Sequence, residues 1–266
     1  MKCPKCGLLN PETAQRCDCG YDFEQKAVVI SVPKIGSRIT DSFESKRTLA
    51  ICVIVGLLLV MSLRIVAFGS EYLQLRLVSA VAAGQTITQS EGAANDKRQQ
   101  VIASLQAFAY IVTAILFLVW IHRVYLNLSA LGAFNLTYSP GWAVGGFFVP
   151  FLNLVRPFQV VKEIWRASDP DEYAWRQART SPLVGLWWIS FLGTALIGRI
   201  VAMLGNQAGT TLNSLLNATR AAMFNDAFDA AAAVPAIILV WSINKRQELR
   251  HTHLVAGRGM ANAGAE

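Results

Sequence analysis

Residues 49–68 read LAICVIVGLLLVMSLRIVAF, twenty residues in which Arg64 carries the only charge. A bilayer core about 30 Å thick is crossed by roughly 20 apolar residues in an α-helix, so this stretch is long enough to span one. Backbone amides in lipid must be hydrogen-bonded within the segment, and the alternating pattern of a barrel strand is missing here. The stretch therefore predicts a transmembrane helix.

Three further stretches have the same character. Residues 101–121 carry no charge. Residues 182–203 carry only Arg199. Residues 227–243 carry only Asp229, near their start. The chain of 266 residues is 53% apolar and 15% charged, whereas a soluble domain carries about 25% charged residues. We predict an all-α polytopic membrane protein with four transmembrane helices arranged as two hairpins, and the composition excludes an ordinary soluble enzyme and a disordered chain.

A fifth uncharged stretch, residues 141–155, is interrupted by a proline. A helix that begins at Pro140 is expected to break at Pro150 after about ten residues, near mid-membrane, which predicts a re-entrant segment. Residues 157–167 then place apolar side chains on one helical face beside basic ones, a pattern typical of an interfacial helix. We predict that residues 140–167 are re-entrant or interfacial. The residues singled out in this segment are Trp142, Pro150, Asn153 and Pro157.

The distribution of Lys and Arg orients the helices. With four crossings, residues 1–48, 122–181 and 244–266 share one side and contain 18 Lys or Arg, against four on the other side. Because cytoplasmic loops are enriched in Lys and Arg, both termini are expected in the cytoplasm, with the chain in the inner membrane. A fifth crossing is the less favoured alternative. The first apolar run follows a polar region, so no cleavable signal peptide is expected.

The most specific chemistry precedes the membrane, where four of the five cysteines occur as a C-x2-C and a C-x-C pair. Four soft thiolates around one centre suit tetrahedral zinc, and about 25 residues bury too little core to fold without a metal. An iron centre, a disulfide and a redox-active pair are the alternatives, and a reducing compartment disfavours disulfides. We predict a ribbon at residues 1–26 with a structural Zn²⁺ ion, whose ligands are Cys3, Cys6, Cys17 and Cys19.

The ribbon lacks the excess of positive charge that nucleic-acid binding requires, because residues 1–26 contain four basic and four acidic side chains. Contact with a protein partner, or a purely structural role, is the better expectation. The remaining organisation is a polar linker at residues 27–48, a membrane domain at 49–246 in contact with the lipid bilayer, and a flexible tail at 247–266. Cys52, within the first apolar stretch, is expected to be a small buried residue.

Motifs within residues 125–168 resemble those of a known family. They are SPGWAVG at 139–145, FVP at 148–150 and NLVRPFQ at 153–159. With these motifs the chain resembles, over roughly residues 49–246, the bacterial membrane proteins catalogued as the domain of unknown function DUF4328. The resemblance implies a multi-helix membrane domain and supplies no catalytic residues. The cysteine module resembles the short zinc ribbons that are fused to unrelated bacterial membrane domains.

Charges inside the predicted spans allow two interpretations. Arg64 and Arg199 fall near the outer ends of their helices, and Asp229 falls near the outer start of the last one. Either each arginine reaches the headgroups and Asp229 caps a helix, or Asp226 or Asp229 pairs with one of the arginines in an outer-leaflet cluster. Arg64 and Arg199 also both begin the sequence RIVA, which makes a duplicated hairpin a further hypothesis.

The sequence favours a function without catalysis. Its histidines, His122, His251 and His253, meet no Ser, Cys or Asp constellation at matching depth. The main hypothesis is a membrane-embedded interaction or sensory module that displays the zinc ribbon to a cytoplasmic protein. The alternative is a small-solute transporter or channel in which residues 141–156 line a cavity, as broken helices do in carriers. An oligomer is compatible with both.

Overall fold

A computed structural model describes residues 1–4, 14–15, 17, 21–23, 27–28, 43–171, 174–207 and 211–263. The helices in chain order are α1 (Arg47–Ala82), α2 (Gln89–Ala130), α3 (Pro140–Gly145), α4 (Arg156–Ala167), α5 (Pro182–Gln207) and α6 (Leu212–Ala263). Short 3-10 turns occur at Leu152–Leu154 and Trp175–Gln177. Near the N-terminus, β1 (Tyr21–Asp22) and β2 (Ala27–Val28) pair antiparallel, so β2 falls within the region predicted to be a linker.

Four helices, α1, α2, α5 and α6, are long and apolar enough to cross a membrane, which confirms the predicted number. Each extends beyond its apolar stretch, and α6 begins at Leu212 rather than at residue 227. The start of α2 has a clear cause, since the Thr88 hydroxyl accepts from Glu91 N–H at 3.2 Å and the Glu91 carboxylate accepts from Thr88 N–H at 2.8 Å. Hydropathy detects only the apolar part of such helices.

The four long helices are arranged side by side. α1 packs against both α2 and α6, and α6 packs against α5, which gives the order α2, α1, α6, α5. Among the described residues, α2 and α5 make no extensive backbone contact with each other. The end of the bundle where α3 and α4 pack is called the α4 end below, and the opposite end, with the α1–α2 and α5–α6 connections, is called the far end.

The main hydrophobic core lies at the α4 end, and it explains why α6 is so long. Gln247 Nε2 donates to the carbonyl of Val124 at 2.9 Å, and Arg250 Nε donates to the carbonyl of Leu131 at 2.9 Å. Both side chains are buried. These bonds fix α6 against the end of α2. The helix continues to Ala263, so most of the predicted flexible tail at residues 247–266 is helical.

The α4 helix has the apolar face that was predicted, but this face packs on protein. Val161, Ile164 and Trp165 are buried in the core with side chains of α2, α5 and α6. On the same helix the buried Glu163 carboxylate accepts from the Tyr125 hydroxyl at 2.7 Å and from Thr137 N–H at 2.7 Å. The helix is therefore an integral part of the core, and its apolar face is not left to the bilayer.

Cys52 is exposed, so the prediction that it is buried was wrong. The reason is the rotation of α1, which packs into the core through Ala50 and Val53. A residue between these two positions points away from the neighbouring helices.

Gly193 allows α5 and α6 to approach closely, because a Cβ atom there would lie 2.6 Å from Cζ of Phe228. We expect Gly193→Leu to lower the free energy of unfolding by about 1–3 kcal/mol, since the Phe228 ring must leave the space that the new side chain takes. Thermal unfolding in detergent measures this loss. Gly185→Leu, on the same helix with no other atoms within 4 Å of its Cβ position, is the matched control. Equal losses in the two variants would contradict the packing argument.

Candidate functional site

The broken segment forms a tight hairpin. Its first arm is α3, which begins where Trp142 N–H donates to the Ser139 hydroxyl at 3.4 Å. α3 ends at Gly145, well before the expected break at Pro150. A Cβ atom on Gly146 would lie 2.8 Å from Cβ of Arg156, so the absence of a side chain lets the returning chain pass close to the first arm. Hydrogen bonds of the turn type continue beyond α3, since Phe148 N–H donates to the carbonyl of Gly145 at 3.1 Å. The backbone enters the left-handed region at Phe151, with a φ of 63°, directly after Pro150.

The four residues singled out in this segment have different environments. Trp142 and Pro150 are exposed, Asn153 is half-buried, and Pro157 is buried in the first turn of α4. None of them lines the cavity described next, which instead receives two phenylalanines from the hairpin tip, Phe147 and Phe148.

A cavity of about 290 Å³ lies among the four long helices. Aromatic side chains dominate its α4 end, where the rings of Phe117 and Phe147 are 6.4 Å apart and those of Phe117 and Trp187 are 6.1 Å apart. Towards the far end the walls become small or polar. The residues that line the cavity include Leu57, Val60, Arg64, Tyr110, Thr113, Ala114, Phe117, Phe147, Phe148, Trp187, Phe191, Thr194, Asp229, Ala232, Ala233 and Ala236.

A charged triad closes the far end of this cavity. The Arg64 guanidinium of α1 contacts two carboxylates of α6, with one nitrogen 3.0 Å from Asp226 Oδ1 and the other 3.0 Å from Asp229 Oδ2. The side chains are 23%, 7% and 13% exposed, respectively. An arginine that bridges two carboxylates one helical turn apart holds α1 and α6 in a fixed register.

Arg199 does not join the triad. It is exposed on α5 and forms no salt bridge with the other described residues. Asp229 lies well inside α6, which begins at Leu212, so it does not cap a helix. The two RIVA sequences therefore place their arginines in different environments.

Two buried acceptors beside the triad have no hydrogen-bond partner among the described residues. Asn225 Nδ2 donates to Asp229 Oδ2 at 3.1 Å. The other oxygen of Asp229, Oδ1, and the amide oxygen of Asn225 are both buried without a donor. Buried polar atoms are nearly always paired, so such atoms at a cavity wall call for an explanation.

Polar side chains connect the helices beyond the triad. Arg98 Nε donates to the Ser70 hydroxyl at 3.0 Å, and Gln99 Nε2 donates to Gln74 Oε1 at 2.7 Å. Gln74 Nε2 in turn donates to the Thr219 hydroxyl at 3.2 Å. This network ties α1, α2 and α6 together in the parts that hydropathy did not predict to be helical.

The cysteine module is described only in part. Cys3 and Cys17 are both buried, in one cluster with Tyr21 and Phe23. Cys17 N–H donates to the carbonyl of Tyr21 at 2.8 Å, which holds Cys17 beside the start of β1. Cys6 and Cys19 lie outside the described residues, and the described residues alone contain no group of three or more potential metal ligands. Two cysteines distant in sequence but buried together are compatible with thiolate ligands of one ion.

The histidines lie away from the cavity. His251 stacks on Phe43 with the ring centroids 4.4 Å apart, and His253 Nδ1 is 3.2 Å from the carbonyl oxygen of Pro170. His122 is half-buried near the C-terminal end of α2. The structure does not bring the three together with the charged triad.

Comparisons with known proteins bear on the membrane domain. The model of the family described as "Domain of unknown function (DUF4328)" matches residues 83–245. The match begins just after α1, so it is shorter than the expected range of 49–246. No curated protein and no solved structure matches the chain significantly. The matched residues run from the α1–α2 connection into α6 and make up more than half of the chain, which therefore belongs to the DUF4328 family.

Proposed function

We propose that this protein is a non-catalytic integral membrane module that presents a cytoplasmic zinc ribbon to a protein partner. The observation that carries the proposal is the joint burial of Cys3 and Cys17 ahead of the membrane helices. In this proposal Cys6 and Cys19 complete a tetrahedral set of thiolates around a structural Zn²⁺ ion. The bundle then serves as the anchor that holds the ribbon at the membrane.

The charge distribution supports the cytoplasmic position of the ribbon. Lys46 and Arg47 lie at the start of α1, and Lys245 and Arg246 lie in the part of α6 that packs at the α4 end. The excess of basic residues at this end is that of a cytoplasmic face. Both termini are then cytoplasmic, in the compartment where free thiolates persist.

Site-specific crosslinking tests the partner. A photoreactive amino acid at Lys2, which is exposed, is expected to trap a discrete cytoplasmic protein in native membranes. Cys6→Ser should abolish this adduct, because a ribbon without metal does not fold. Cys52→Ser, which replaces the exposed cysteine of α1, is the matched control and should leave it unchanged. An adduct that persists in Cys6→Ser, or no adduct with the native chain, would refute the proposal.

A second candidate function is transport of a small solute, and the position of the hairpin favours it. The tip residues Phe147 and Phe148 line the cavity at the level of Phe117. This level is about 6 Å inside the predicted inner end of the second span, so the hairpin would re-enter the membrane to a shallow depth. The mainly apolar walls argue against a hydrophilic solute. Solute flux into liposomes is expected from this function and not from an interaction module.

A further inference from the structure

The cavity has its open side between α2 and α5, the two edge helices of the bundle. Tyr110 and Phe148, which both line it, are 57% and 69% exposed. In a membrane these side chains face lipid, so a molecule dissolved in the bilayer can reach the cavity laterally. Only molecules that dissolve in the bilayer reach such a site, so its ligands must be largely apolar.

The charges at the far end of the cavity do not balance. Arg64 contributes one positive charge, against the two negative charges of Asp226 and Asp229. Glu71 and Arg98, the next charged groups along these helices, add one charge of each sign, and Glu71 interacts with both Asp226 and Arg98. An uncompensated negative charge away from water is costly, and a single cation at this point would remove the cost.

The unpaired acceptors are a second, independent indication that a hydrogen-bond donor binds beside the triad. Asp229, one oxygen of which has no donor, lines the cavity itself. The unpaired oxygen of Asn225 lies one helical turn towards the far end. The orientation of this amide is fixed, because its nitrogen donates to Asp229. Two acceptors without donors call for a group that carries N–H or O–H bonds.

We propose that the cavity binds an apolar molecule with one primary or secondary ammonium group. The ammonium donates to Asp229 Oδ1 and restores charge balance at the triad, while the apolar body lies along Phe117, Trp187 and Phe191. A hydrogen bond from a charged donor to a carboxylate is stronger than one from a neutral hydroxyl, which favours an ammonium over a hydroxyl group in this position. The site is independent of the zinc ribbon, and it supplies a substrate class for the transport function.

Binding of n-octylamine to the full chain in phosphatidylcholine nanodiscs tests the proposal. At near-neutral pH the amine is protonated, and Trp187 in the cavity wall provides a fluorescence signal. We expect a saturable change with the native chain and about tenfold weaker binding to Asp229→Asn, which loses a charge-assisted hydrogen bond. Octanol and octanoate, with the same chain length, should bind about tenfold more weakly or not at all.

Two variants keep the test decisive. Asp96→Asn removes an exposed carboxylate from α2 and should bind the amine as the native chain does. Ala232→Phe fills the cavity one turn from Asp229 and keeps all three charged residues of the triad, so it should weaken binding even if Asp229→Asn folds poorly. The proposal is overturned if the native chain shows no saturable binding, if octanol or octanoate binds as tightly as the amine, or if Ala232→Phe binds normally.

Discussion

Replacing Arg64 by methionine is expected to lower the free energy of unfolding of the membrane domain by about 3–5 kcal/mol. The substitution keeps an unbranched chain out to the δ position but removes the guanidinium that bridges Asp226 and Asp229. Both carboxylates are then left buried and adjacent, and the carboxylates repel each other. Thermal or chemical unfolding in detergent, together with the yield of folded protein, measures the loss.

Arg199→Met provides the matched control, because Arg199 begins the same RIVA sequence but is exposed on α5. It should change the stability by less than about 0.5 kcal/mol. The combination of Arg64→Met with Asp226→Asn and Asp229→Asn should recover most of the loss, since no buried charge remains unpaired. Equal effects of the two arginine variants, or no recovery in the combined variant, would show that the triad does not stabilise the bundle.

Hydropathy predicts the number of membrane helices because the bilayer imposes a minimum apolar length on each of them. It does not predict their ends, since outside lipid a helix is continued by specific polar contacts. The bond from Gln247 to Val124 and that from Gln74 to Thr219 join residues more than a hundred positions apart. No local pattern reveals such partners, so α6 is longer than its apolar stretch at both ends.

For the triad, the sequence identifies the charged residues but not which of them pair. The cost of a charge in lipid identifies Arg64, Arg199 and Asp229 as residues that need an explanation. The choice of partner depends on which faces of α1, α5 and α6 meet, and the structure brings Arg64 to both aspartates. The unpaired oxygen of Asn225 was not predicted at all, because a polar side chain just outside a predicted span gives no distinctive signal.

The broken segment was predicted from Pro150, and its hairpin geometry depends on Gly146 as well. A proline signals that a helix cannot continue, but it does not say where the chain turns back. The close approach of Arg156 to Gly146 is a tertiary contact. Consequently Phe147 and Phe148, and not Trp142 or Asn153, reach the cavity.

Substitution of the cysteines near the N-terminus is expected to remove the bound metal almost completely. The purified native chain should carry about one zinc ion per molecule, and Cys3→Ser or Cys17→Ser should reduce this to near zero. A structural zinc site contributes on the order of 10–16 kcal/mol of binding free energy, and a fold of this size has no core to replace it. Elemental analysis by mass spectrometry measures zinc and iron together, which separates a zinc ribbon from an iron centre.

Cys52→Ser is the control for this experiment, because Cys52 is exposed on α1 and is far in sequence from both cysteine pairs. Its zinc content should equal that of the native chain. The joint burial of Cys3 and Cys17 is compatible with a shared ion or with simple apolar packing, and only the first predicts that a strong chelator unfolds the module. A native chain without zinc, or a zinc content that survives substitution of Cys3 and Cys17, would leave packing as the explanation and remove the ribbon from the proposed function.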